Sequence, residues 1–139
     1  MKQLLTISLL LVFLSCGQNS KSERSDLLTS SIWTIDKESI DGFSRFTDKY
    51  EFLADGTCIL VAGDTEIHGK WSWAKDDEIY IKPVGTVVKG QKTKVEYWGI
   101  CIKIVELNDK VFRTFEKMEI DSWTSGLIKE RKYTALSLK

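Results

Sequence analysis

The sequence is poor in the residues on which most enzyme mechanisms depend. It has one histidine, His68, so a Ser-His-Asp mechanism or a zinc site would have to be built around that single side chain. Alternation along its segment places His68 on the outward side of a strand, as a solvated histidine. No Gly-x-Ser-x-Gly, His-Glu-x-x-His or phosphate-binding glycine motif is present. We therefore predict that the protein is not an enzyme and has no catalytic residue and no cofactor.

An excess of either charge is also lacking, because 20 Lys and Arg residues balance 20 Asp and Glu residues. Near-neutrality argues against a nucleic-acid partner and against an electrostatic grip on a membrane. The acidic run at residues 76–78 is typical of a short turn, and nothing nearby in the sequence supplies the oxygen ligands that Ca²⁺ requires. We predict no metal site.

The N-terminal segment has the pattern of an export signal. Lys2 precedes an apolar stretch at residues 4–14, which is too short to cross a bilayer as a helix. Leu14-Ser15-Cys16-Gly17 then resembles the bacterial lipobox, in which the cysteine becomes the lipid-bearing first residue of the mature chain. We predict a signal peptide at 1–15, lipidation of Cys16 and a membrane partner through that lipid. Gly17 is not the aspartate that retains lipoproteins at the inner membrane of enteric bacteria, so we expect the outer membrane.

Residues 17–26 contain no large apolar side chain. This composition predicts that residues 16–26 are the lipidated cysteine followed by a flexible tether, with a reach of roughly 17 Å for ten residues. The remaining residues, 27–139, have room for one domain.

Helical periodicity and proline are scarce in that domain, since Pro83 is the only proline. Runs of β-branched and aromatic residues instead predict eight strands, separated by Gly- and Asp-containing turns. Most connections are short, so neighbouring strands should be antiparallel and can close into an up-and-down barrel. The predicted strands span 32–38, 45–53, 57–62, 66–73, 78–83, 94–106, 110–119 and 129–138.

Alternation within these strands predicts which side chains face inward. Plain core packing is the favoured interpretation of these residues, with the lining of a narrow apolar cavity as the alternative. The inward set comprises Trp33, Tyr50, Phe52, Trp71, Trp73, Trp98, Ile100 and Ile102.

Cys58 and Cys101 fall on the third and sixth predicted strands, which are not neighbours in an up-and-down barrel. Because a disulfide requires Cα atoms within about 7 Å, we predict two separate thiols.

Four segments together carry a resemblance to a known family. They are Ile32-Trp33, the turn Tyr50-Glu51-Phe52-Leu53-Ala54-Asp55-Gly56-Thr57, the strand Gly69-Lys70-Trp71-Ser72-Trp73, and Ile102-Lys103-Ile104-Val105-Glu106-Leu107. In order and spacing they resemble the small lipocalin-like domains of lipoproteins from Bacteroidetes-type bacteria. The resemblance implies an extracytoplasmic, non-enzymatic protein.

Two functions follow as hypotheses. The barrel binds a small apolar ligand or a protein partner, or it is filled and serves as a structural, accessory or inhibitor lipoprotein without a small-molecule ligand. A binding site is expected at a barrel mouth, near the connections 85–94 and 120–128, with Trp123 and Leu127 as apolar contacts. The alternative is that these two side chains cap the core.

Overall fold

The computed structural model describes residues 20–36, 47–88, 90–93, 98–124, 128 and 130–136. The predicted signal peptide and Cys16 lie outside the described residues. In chain order, the described elements are α1 (Lys21–Thr29), β1 (Ile32–Ile35), β2 (Lys49–Phe52), β3 (Thr57–Ala62), β4 (Thr65–Trp73), β5 (Glu78–Val88), β6 (Gln91–Thr93), β7 (Ile100–Leu107), β8 (Val111–Met118) and β9 (Glu130–Leu136).

Eight of the described strands form a closed antiparallel barrel. Each of β1 to β5 pairs with the next strand, β5 pairs with β7, and β7, β8 and β9 follow in sequence. The pairing of β9 with β1, in which Ile32 lies opposite Leu136, closes the ring. The short strand β6 branches from the end of β5, where Thr86 lies opposite Thr93. This architecture confirms the predicted all-β, eight-stranded up-and-down barrel of the lipocalin-like type.

The two ends of the barrel differ. The helix α1 packs against β2 and β7 and leads directly into β1, so it covers one end, which we call the closed end. The β2–β3, β4–β5 and β7–β8 turns belong to this closed end. The opposite end, which we call the mouth, carries the β3–β4 turn, β6 and the chain that follows β8.

The helix corrects the prediction of a flexible tether, because residues 21–26 belong to α1. Ser20 caps the helix: its hydroxyl accepts from the Glu23 N–H at 3.3 Å, and the Glu23 carboxylate accepts from the Ser20 N–H at 2.9 Å. Leu28 is fully buried, and its carbonyl accepts a hydrogen bond from Trp33 Nε1 at 3.0 Å. Local capping and this tertiary anchor order a segment whose composition alone suggests disorder.

The inward assignment is confirmed for most of the predicted residues. Trp33, Tyr50, Phe52 and Ile102 are buried in the core, and Trp71, Trp73 and Ile100 are partly buried against it. The assignment of Trp98 is wrong, since its side chain is 60% exposed. Strand β7 begins only at Ile100. Alternation predicts which side chains are buried only where a strand is paired, so it does not apply to Trp98.

Strand β5 is longer than predicted. The sequence assigns a strand that ends at Pro83 and a loop at 85–90, whereas the structure continues β5 to Val88. β5 pairs with β7 only from Glu78 to Ile81. Pro83 lies beyond this stretch, so it is tolerated although its nitrogen cannot donate a hydrogen bond to β7.

Candidate functional site

Aromatic rings fill the interior on the side of the closed end. Tyr50 and Tyr133 meet edge to face with ring centroids 5.1 Å apart, and Trp33 lies 5.5 Å from Phe112. Phe52 contacts Phe112 as well, at 6.1 Å. Rings at these separations are in van der Waals contact and form an aromatic core.

A polar cluster lies further toward the mouth, around the buried carboxylate of Glu116. Glu116 Oε1 accepts from the Tyr133 hydroxyl at 2.7 Å and from the Thr114 hydroxyl at 2.8 Å, while Oε2 accepts from the Tyr50 hydroxyl at 3.0 Å. Arg131 is also buried and its positive charge acts on Glu116. The sequence analysis did not predict this buried polar cluster. Inward positions on β8 and β9 carry these charged side chains.

Burial sets the protonation behaviour of the cluster. It raises the pKa of the Glu116 carboxyl above its ordinary value, and the hydrogen bonds from Tyr133, Thr114 and Tyr50, with the charge of Arg131, act in the opposite direction. Burial, reinforced by the negative charge of Glu116, also raises the pKa of the Tyr50 and Tyr133 hydroxyls. Both tyrosines therefore keep their protons and remain donors to Glu116.

The barrel wall changes partner at β5. Residues 78–81 of β5 pair with β7 and residues 86–88 pair with β6, so among the described strands the stretch between them pairs only with β4. The β4–β5 register also shifts between His68 and Gly69. A groove of about 300 Å³ lies at this place, with a mainly apolar lining formed by residues 84–87 of β5, His68 of β4, and Lys92 and Thr93 of β6. This volume is at the lower end of the range for small-molecule sites.

The rim of the mouth carries exposed apolar side chains. The Glu119 N–H donates to the Gly99 carbonyl at 2.7 Å, one residue beyond the last paired residues, Ile100 and Met118. Trp98 precedes Gly99 in the chain, and Ile120 follows Glu119. These two side chains are 60% and 62% exposed. A Cβ atom at Gly99 would clash with the ring of Tyr80, whose hydroxyl donates to Glu119 at 3.1 Å.

Of the two contact residues predicted at the mouth, Trp123 and Leu127, the structure describes only Trp123. Trp123 is half-buried after β8, and the Lys117 ammonium lies 5.1 Å from its ring centroid. Leu127 lies outside the described residues. The predicted site connection at residues 85–94 contributes to the groove through Gly85, residues 86–87 and Lys92, although part of it is strand rather than loop.

Cys58 and Cys101 are both free, which confirms the prediction of two separate thiols. Burial raises the pKa of the Cys58 thiol to about 12.

His68 contacts Glu66 through Nε2 and Oε1 at 2.5 Å on the outer part of β4. Within the described ranges, no group of three or more His, Cys, Asp or Glu side chains is arranged to hold a metal ion.

The chain is thus a small lipocalin-like barrel with a groove in its wall beside the mouth. Comparison with family models, curated proteins and solved structures finds no match to this chain. A separate search of the described helices finds none long and apolar enough to span a membrane.

Proposed function

We propose that this protein is an extracytoplasmic lipoprotein, held on the outer membrane by lipid on Cys16, that binds a small apolar molecule in the groove beside the barrel mouth. It would be one of the lipocalin-like lipoproteins that the sequence resembles. The observation that carries the proposal is the mainly apolar groove of about 300 Å³ at the place where β5 changes partner.

The groove lies on the barrel wall, at the place where β5 changes partner from β7 to β6. Aromatic rings pack in the closed half of the interior, and the Glu116 cluster lies nearer the mouth. Val84 and Val87 offer apolar surface, and the exposed Lys92 can fix the orientation of a polar group. Few polar groups in an apolar lining are typical of small-molecule sites.

A direct test uses 1-anilinonaphthalene-8-sulfonate as an apolar fluorescent probe. The variant Val84→Ser with Val87→Ser should reduce probe binding several-fold, because it makes the apolar lining polar. The matched control is Val105→Ser, which changes a similarly exposed valine far from the groove and should leave probe binding unchanged. Equal binding by the wild type and the groove variant would contradict the site. Native mass spectrometry of the wild type should also show a co-purified small molecule.

A second function, as an accessory lipoprotein that binds a protein partner, is favoured by the exposed rim pair Trp98 and Ile120. Interaction hot spots are enriched in tryptophan. Cross-linking in the native envelope would distinguish the two functions. A partner that is lost in Trp98→Ser with Ile120→Ser, and kept in the groove variant, would favour the accessory function.

A further inference from the structure

The order of α1 shortens the connection between the proposed lipid and the barrel. Ser20 is the N-cap of α1, and only three residues separate it from Cys16. Four peptide units span at most about 14 Å when fully extended. The lipid on Cys16 is therefore attached through a short leash to the helix, in place of the ten-residue tether that composition suggests.

The helix is fixed to the closed end by contacts along its length. The Arg24 guanidinium donates to the Asp76 carbonyl at 2.6 Å, and Lys21 lies 3.1 Å from the Asp76 carboxylate, so the start of α1 is held at the β4–β5 turn. Trp73 Nε1 donates to the Ser25 hydroxyl at 2.8 Å. At the other end of the helix Leu28 is buried in the core, and its carbonyl accepts a hydrogen bond from Trp33 Nε1 at 3.0 Å. The leash thus begins at the closed end and cannot shift along the barrel.

The height of the barrel then decides which end faces the lipid. Strands β7 and β8 have eight residues each, which corresponds to about 25 Å along the strand and about 20 Å along the axis of a tilted barrel. A leash of at most about 14 Å is shorter than this height. An anchor at the closed end therefore cannot allow the mouth to face the bilayer.

The surface of the closed end is suited to a neutral lipid surface. Leu53, Val105 and Leu136 are exposed there, at the ends of β2, β7 and β9. The adjacent turns carry charges of both signs, as in Lys75-Asp76 and Asp109-Lys110, so no attraction to anionic lipid is expected.

We infer that the closed end, with α1, rests on the zwitterionic bilayer that holds the lipid on Cys16, and that the mouth with its groove points away from the membrane. This inference rests on the proposed lipid anchor. It explains how a tethered barrel keeps its groove accessible to ligands in the surrounding compartment.

The test uses the full-length protein, produced with its signal peptide and purified in its lipidated form. A fluorophore is placed at the closed end through Asp109→Cys or at the mouth through Gln91→Cys, in a Cys101→Ser background where Cys58 is buried and Cys16 is blocked by lipid. Each protein is reconstituted in phosphatidylcholine vesicles containing a lipid with a nitroxide headgroup. We expect quenching of the Asp109→Cys label to exceed that of the Gln91→Cys label several-fold.

Intact mass measured before reconstitution separates the two proposals. A lipid adduct on Cys16 with equal quenching at both positions, or with stronger quenching at Gln91→Cys, would overturn the orientation and leave the anchor intact. Absence of the adduct would overturn the anchor, and the orientation with it.

Discussion

The closed end and the mouth of this barrel are built on different physical principles. The closed half packs tryptophan, tyrosine and phenylalanine rings against one another beneath a capped helix. The half toward the mouth places a carboxylate and a guanidinium inside the barrel and exposes Trp98 and Ile120 at its rim. Apolar burial provides stability at low cost, whereas buried charge and exposed apolar surface both oppose it. The two halves therefore differ in what they bury, which is an aromatic cluster in the closed half and a charged, hydrogen-bonded cluster in the half toward the mouth.

Substitution of one tryptophan in each half of the barrel tests this contrast most directly. Trp33→Ala removes a fully buried ring and the hydrogen bond to Leu28, so we expect the free energy of unfolding to fall by about 3–5 kcal/mol. Trp98→Ala, its matched control, removes a ring that is 60% exposed and should change the value by less than about 0.5 kcal/mol. Urea melts of both variants provide the comparison, and equal losses would contradict the division between the two ends.

The Glu116 cluster tests whether the half toward the mouth also contributes to stability. Glu116→Ala deprives three buried hydroxyl groups of their acceptor and leaves Arg131 without that opposite charge, so we expect a loss of about 3 kcal/mol. Glu116→Gln is the control that keeps the side-chain shape. A loss below about 1 kcal/mol for Glu116→Ala would show that the cluster is not needed for folding.

The pH dependence of Glu116→Gln sharpens the same test. Burial raises the folded-state pKa of Glu116, so the contribution of this group is fully present below the unfolded pKa of about 4.3 and is lost as pH rises through the folded value. Glutamine does not titrate. The stability of Glu116→Gln relative to wild type should therefore increase with pH from about 4.3 upward, as measured by urea melts across the acid range. Parallel profiles for the two proteins would contradict the raised pKa.

Most of the fold could be predicted from the sequence because alternation is strong where strands are paired on both sides. Tyr50 and Phe52, for example, are two residues apart and both are buried. Trp98 could not be assigned correctly, since alternation gives no sign of where pairing ends. The predicted strand ends at Pro83 because proline usually marks the end of a strand. The sequence does not show that β5 has no β7 partner at this position, which is why proline is tolerated there.

The candidate site was less accessible to sequence reasoning. The groove depends on the change of partner along β5, which is a property of topology. Phe112, Thr114 and Glu116 alternate on one face of β8, so the sequence does indicate that Glu116 faces inward. The pattern does not show which residues contact the Glu116 carboxylate. The sequence also indicates α1, because Ser20 and Glu23 have the spacing of a capping box. The polar composition of residues 17–26 nevertheless led to the prediction of a flexible tether.

The helix cap is the next test, and it concerns the closed end. Ser20→Ala removes the acceptor for the Glu23 N–H, and we expect a loss of about 1 kcal/mol in the free energy of unfolding. Ser22→Ala, at an exposed position within α1, is the matched control and should have no measurable cost. Thermal or urea unfolding checks both variants. If Ser20→Ala behaved like Ser22→Ala, the helix would contribute little to closing the barrel.

Trp123 provides the smallest expected effect and the finest distinction at the mouth. Its ring is half-buried and is contacted by the Lys117 ammonium, which also donates to the Asp121 carbonyl at 2.7 Å. A partly exposed cation–π contact contributes about 0.5–1 kcal/mol, so Trp123→Ala should lower stability by roughly that amount if the ring caps the core. Trp123→Phe keeps a ring over Lys117 and should recover most of the loss. The same variants are assayed for binding of 1-anilinonaphthalene-8-sulfonate. Lost stability with unchanged probe binding identifies Trp123 as a cap, whereas unchanged stability with weakened binding would make it a recognition residue, because only a side chain that contacts the ligand can alter binding without altering the fold.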